Sequence, residues 1–90
     1  MSGKFELYVA GGAINSQTAR RNLETAMARM NGGGEVEVID VLADPKRALA
    51  AGILLTPALV RRQPKPVGML LGTLTDHEVL LAFIRPADTP

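Results

Sequence analysis

A proline stands where a strand should begin. Between Gly52 and Pro66 the chain reads GILLTPALVRRQPKP, with one apolar run, Ile53 to Leu55, entering Thr56-Pro57 and a second, Ala58 to Val60, leaving it. Proline offers no N–H to a sheet ladder, so it is tolerated only at the first position or on an edge. The strand that follows therefore starts at Ala58. Two geometries suit the Thr56-Pro57 bond: an ordinary trans proline opening a strand, or the less common cis bond that marks a tight turn. The rest of the chain is arranged around this stretch.

Ninety residues without a cysteine bound the answer. The length suits one small domain, 1–90, with an ordered core over about 4–85, whose limited interior would gain from oligomerisation. Monomer and homo-oligomer both remain open. No cysteine means no disulfide, no thiolate nucleophile and no cysteine-based zinc site. Ten basic residues face nine acidic ones, so no broad field favours nucleic acid or an anionic membrane. With one Tyr, two Phe and no Trp, stacking platforms for single-stranded nucleic acid are scarce. No apolar run approaches the ~20 residues of a membrane span, and no leader pattern opens the chain. The expected location is cytoplasmic.

In chain order, Lys4 to Ala10 alternates, with Phe5, Leu7 and Val9 on one face and Glu6 and Tyr8 on the other, and reads as a strand. Asn15 or Ser16 would cap a helix of about four turns whose apolar face is Ala19, Leu23, Ala26, Met27 and Met30. Asn31 to Gly34 would end it as a flexible connector. Glu35 to Leu42 is a second strand, and its charges suit a sheet edge. Asp44 then caps a short helix through Ala51, with Pro45 at its first position and Gly52 closing it. Ala58 to Arg62 and Val67 to Leu71, joined over Gln63 to Pro66, must pair antiparallel because the turn is so short. Thr75 to Glu78 forms a capping box for a last helix, with Val79, Leu80, Phe83 and Ile84 as its face and Pro86 as its stop.

Little here can carry catalysis. The single histidine, His77, falls in the first turn of the last helix and reads as an exposed surface or capping residue without a positioned partner. One His, no Cys and scattered acids build no metal site, and no cofactor is expected. Gly11-Gly12 before a helix start resembles an anion cradle only superficially, since it lacks both the dinucleotide fingerprint and a P-loop lysine. Arg61-Arg62 with Lys65, and Arg20-Arg21, are small basic clusters suited to a solvated face or to rim contacts on an acidic partner. The residues point away from an enzyme.

The Thr-Pro bond after a strand-helix-strand-helix lead-in resembles the cis-proline loop of thioredoxin-like folds. More specifically, the chain resembles the KaiB family across nearly all of residues 4–85. The motifs are LYVAG at Leu7 to Gly11, Asn15-Ser16, VIDVL at Val38 to Leu42, Pro45, ILLTPAL at Ile53 to Leu59, the prolines Pro64 and Pro66, and Gly72 before Leu74. The resemblance implies a non-enzymatic clock or signalling regulator that binds a KaiC-like ATPase, with a KaiA-like protein as a further partner. It also implies two folds for one chain. One is a thioredoxin-like β-α-β-α-β-β-α state with a four-stranded mixed sheet; the alternative is a tetrameric ground state, β-α-β-β-α-α-β, ending in a strand. Such a balance requires two packings within a few kcal/mol.

Clock members of the family typically carry an Arg pair where this chain has Gly68 and Met69, and an acidic-lysine stretch where it has Ala48 to Gly52. Near the C-terminus they have a Gly and an Asp where it has Phe83 and Arg85. Both of the latter changes favour helix, by ~1 kcal/mol for replacing glycine and ~0.3–1 kcal/mol for placing a cation at a helix C-terminus. The thioredoxin-like state, with a cis Thr56-Pro57 bond and a helix over 76–85, is therefore the expected resting form. Thr56, Pro57, Phe83 and Arg85 are the expected fold-balance residues. The expected partner surface is the second strand's open edge with the next loop and helix: Glu35, Val36, Glu37 and Val38 with Asp44, Pro45, Lys46 and Arg47. Two rivals are a stand-alone sensor-type module acting on a histidine kinase and a glutathione-transferase-like N-domain.

Overall fold

Alternation in one strand divides the molecule into two faces. In the computed structural model, which describes residues 3–30 and 34–85, β1 (Gly3–Val9) is followed by α1 (Ile14–Arg29), β2 (Gly34–Asp40), α2 (Pro45–Ala50), β3 (Ala58–Gln63), β4 (Gly68–Leu71) and α3 (His77–Ile84). The sheet order is β2-β1-β3-β4. β1 pairs parallel to β2 and antiparallel to β3, which in turn pairs antiparallel to β4. This is the thioredoxin-like order, and the rival order ending in a strand is not the one adopted.

Phe5, Leu7 and Val9 project from β1 toward α1 and α3, where they meet Ala19, Leu23, Ala26, Leu80 and Ile84. Fully burying a side chain such as Leu80 or Ile84 contributes about 1.5–3 kcal/mol, so this cluster holds α3 in place. On the opposite face, Tyr8 packs with Ile39, Ala48, Ala58 and Val60 beneath α2. The Thr56–Pro57 bond is cis, and the Pro57 carbonyl accepts the Gly72 N–H at 3.0 Å, so the proline loop is tied to the end of β4.

Local boundaries differ from expectation for identifiable reasons. α1 starts earlier, with Ala13 as N-cap and no side-chain cap. Ser16 lies inside the helix, buried, and its hydroxyl accepts the Ala10 N–H at 3.1 Å. β2 stops at Asp40 instead of Leu42 because the Asp40 carboxylate accepts the N–H groups of Gly11 and Leu42, at 3.0 and 2.9 Å, which turns the chain. The cap of α3 is Asp76, accepting the Val79 N–H at 3.1 Å, one residue beyond the expected Thr75. Of the expected connector Asn31 to Gly34, residues 31–33 lie outside the described residues, as does the stop at Pro86, while Gly34 already opens β2.

Candidate functional site

β2 runs along one rim of the sheet, and the chain just beyond it folds back as α2. Together they present every residue expected to meet a partner, but on two different faces. In the parallel register, Phe5 lies beside Val36 and Leu7 beside Val38, so both valines share the α1 face. There Val36 and Val38 line an open groove of about 500 Å³ with Leu7, Leu23 and Met27. Arg20 and Glu24 stand on its rim, 3.9 Å apart.

Glu35 and Glu37 take the other face, the one covered by α2. Glu37 and Arg47 meet there, with two guanidinium–carboxylate bonds of 2.6 Å each. Arg47 also reaches Glu6 on β1 at 3.2 Å. Glu6 accepts two further bonds, from Arg62 Nε at 2.9 Å and from the Tyr8 hydroxyl at 2.8 Å. The result is a chain of charges, Glu37–Arg47–Glu6–Arg62, that ties α2, β2, β1 and β3 together. Arg–carboxylate pairs of this two-pronged kind add directional as well as ionic attraction.

Burial pushes the Glu6 carboxyl up, but the Tyr8 hydroxyl, Arg62 and Arg47 together outweigh it and hold it below the usual glutamate range. Burial first, and then the neighbouring Glu6 charge, raise the Tyr8 phenol above its ordinary value. The hydrogen bonds from Arg47 lower Glu37. Both acids are therefore ionised and engaged at neutral pH.

The remaining candidates are free to face outward. Asp44 accepts the Arg47 N–H at 3.3 Å as the N-cap of α2, Pro45 is its first residue, and Asp44, Pro45 and Lys46 are exposed. Thus Val38, Glu35, Asp44 and Lys46 stay exposed on this rim, while Glu37 and Arg47 engage each other. Glu6, Tyr8 and Arg62 belong to this network yet carry no local signal, since Glu6 and Arg62 are brought together from 56 positions apart. An acid in a strand otherwise filled by Phe5, Leu7, Tyr8 and Val9 was the one available hint.

Two of the residues expected to set the fold balance, Phe83 and Arg85, lie on α3 and at its C-terminal end. Phe83 sits under the Arg61 guanidinium, whose carbon is 4.7 Å from the ring centroid, and Arg85 is the exposed C-cap of α3. Contrary to expectation, His77 is half-buried, and its Nε2 is enclosed without a hydrogen-bond partner among the described residues. Among those residues no group of three or more His, Cys, Asp or Glu side chains could hold a metal. No described helix is long and apolar enough to cross a membrane.

A four-stranded mixed sheet in the order β2-β1-β3-β4 with helices on both faces defines a thioredoxin-like protein without the redox cysteines. Structural similarity agrees with that class. The N-terminal domain of Synechococcus elongatus SasA superposes with a TM-score of 0.78 at 21% identity, covering 93% of this chain and 80% of that one. Mitochondrial thioredoxin 3 of Saccharomyces cerevisiae gives 0.76 at 14% identity, covering 92% and 76%. Within the class the sequence is decisive: the KaiB domain family model matches residues 6–86. The circadian clock oscillator protein KaiB of Gloeothece citriformis is 40% identical over 77 residues, spanning 84% of this chain and 73% of that protein. The chain belongs to the KaiB family.

Proposed function

We propose that this protein is a non-enzymatic clock regulator that docks on a KaiC-like ATPase through the β2 edge, the loop after it and the start of α2. The observation that carries this reading is the open β2 rim of a KaiB-family chain, where exposed backbone groups adjoin the groove lined by Val36 and Val38. An extended partner segment can add to such an edge through main-chain hydrogen bonds while alternate side chains enter the groove. Asp44 and Lys46 supply charges at the end of the rim for orientation. Catalysis is not part of the proposal, because the chain has no cysteine and, among the described residues, no serine or threonine hydroxyl is hydrogen-bonded to a His, Asp or Glu side chain.

The test is a binding titration of the pure chain against the KaiC-like ATPase of its own organism, with Val38→Arg and Lys46→Glu beside wild type. Both positions are exposed, so thermal melts should match wild type. Affinity should fall about tenfold or more for Val38→Arg, as for a central interface position, and less for Lys46→Glu. Wild-type affinity in both variants would remove this rim from the docking surface. The likeness to the SasA N-terminal domain favours one second reading, a stand-alone sensor-type module. Binding to a histidine kinase and not to the ATPase would select it.

A further inference from the structure

The other rim of the sheet has the opposite character. Among the described residues β4 pairs with β3 on one side only, and nothing from Val67 to Thr75 carries a charge. Edge strands are ordinarily protected by charges, prolines or bulges. β2 has such protection in Glu35, Glu37 and Asp40, and two β2 strands related by a two-fold axis at Glu37 would set like charges directly opposite each other, which is unfavourable. β4 has none within it.

The hydrogen-bond pattern shows which groups are open. The Gly72 N–H donates to the Pro57 carbonyl at 3.0 Å, and bonded and non-bonded pairs alternate along an antiparallel ladder. With Leu59 opposite Leu70 and Arg61 opposite Gly68, these are the next bonded pairs. Met69 and Leu71 therefore direct their N–H and C=O groups away from β3, to the rim. The two residues are 43% and 52% exposed. On the other face, Leu70, Leu74 and Val79 line a groove of about 270 Å³ between β4 and the start of α3.

We propose that β4 is a self-association edge, through which two copies of this chain pair antiparallel about a two-fold axis at Leu70. That axis sets Met69 opposite the second copy's Leu71, and Leu71 opposite the second copy's Met69. These are the residues with outward backbone groups, so each pair exchanges both N–H···O=C bonds. Met69 and Leu71 also project to the same face, so the side chains that meet are all apolar. The strand is self-complementary in hydrogen bonds and carries no charge that would oppose the pairing. Its four residues make the interface small, and the association is weak and concentration-dependent. β2 lies at the opposite rim and stays available to another partner, so this inference stands or falls independently of the docking reading.

The experiment is sedimentation velocity together with amide exchange on the full chain, from micromolar to millimolar concentration. The average mass should rise from 9.6 kDa toward twice that value, and the Met69 and Leu71 amides should slow with concentration while those of β2 do not. Met69→Lys and Leu71→Lys, each at an exposed position, should hold the chain monomeric with unaltered melting at low concentration. A wild-type chain that stays monomeric throughout overturns the proposal, as do dimers that survive both lysine variants. Slow Met69 and Leu71 exchange that ignores concentration also overturns it, by assigning the rim to another segment of the same chain.

Discussion

The ring of Phe83 occupies the space beside Gly68 that a side chain there would need: a β-carbon on Gly68 would lie 3.2 Å from the ring and 3.2 Å from Arg61 Nη2. The pair is complementary in size across the β4–α3 contact. Gly68→Ala sets two effects against each other. Reduced freedom of the unfolded chain would stabilise by about 0.4–1 kcal/mol, whereas overpacking costs about 1–3 kcal/mol. We expect a net loss of about 1 kcal/mol in urea unfolding. In a Phe83→Leu background the loss should shrink by at least about 0.5 kcal/mol, as for directly coupled residues. Equal losses in both backgrounds would show that the ring is not what Gly68 accommodates.

Arg61 closes the same corner from above. Its Nε and Nη2 donate to the Pro66 carbonyl at 3.3 and 3.1 Å, and its Nη1 donates to the Phe83 carbonyl at 3.0 Å. Lysine keeps the charge but loses the planar fork that reaches both carbonyls while lying over the ring. Arg61→Lys should therefore cost about 1–2 kcal/mol, since hydrogen bonds from charged donors contribute more than neutral ones. The signature to look for is faster exchange of the Arg85 amide, which donates to Leu81 at 2.9 Å. An unchanged exchange rate there would mean that α3 does not depend on the clamp.

The Glu6 network has a definite acid signature. Its folded-state pKa is depressed, because the bonds from Tyr8, Arg62 and Arg47 outweigh burial. Glu6 thus contributes stability that is present above its unfolded pKa and is lost as pH falls from about 4 through the lower folded value. Glu37, lowered by Arg47, acts in the same direction. Glu6→Gln should be less stable at pH 7 and show a shallower loss of stability in acid. Tyr8 acts at the other end of the scale. Its raised pKa means stability is lost as pH rises above about 10, which ultraviolet titration of the single tyrosine can follow. A Glu6→Gln acid limb as steep as wild type would assign acid sensitivity to other carboxylates.

The element order was legible because each step has a local cause. Alternation marks β1, Asp44-Pro45 starts α2, and Thr56-Pro57 marks the opening of β3. The charges of Glu35 and Glu37 likewise announced β2 as a rim. What could not be read depends on partners far apart in the chain. Asp40 ends β2 by reaching Gly11, 29 positions away, and Ser16, a residue typical of helix caps, instead serves Ala10 from within α1. Arg47 was expected on the partner surface, and only the fold shows that Glu37 and Glu6 already hold it. Nor does periodicity reveal that the ring of Phe83 would need a glycine opposite.

The last expectation concerns the balance between folds that KaiB-like chains are expected to strike. In this structure Phe83 does more than favour helix: its ring lies under Arg61 at 4.7 Å and 6.5 Å from the Phe5 ring. Changing Phe83→Gly and Arg85→Asp together should remove on the order of 1–2 kcal/mol of helix preference, from the glycine and dipole effects combined. Loss of the ring's packing adds to that. For two states separated by a few kcal/mol, the shift brings the minor state to a detectable population and weakens apparent affinity for a KaiC-like partner by the fraction of competent molecules lost. Paired NMR spectra with a binding titration measure both. Adding Gly68→Arg to the double variant should then be better tolerated than Gly68→Arg alone, because no ring occupies the space beside position 68. A double variant that stays a single thioredoxin-like species with unchanged affinity would deny Phe83 and Arg85 any control over the balance.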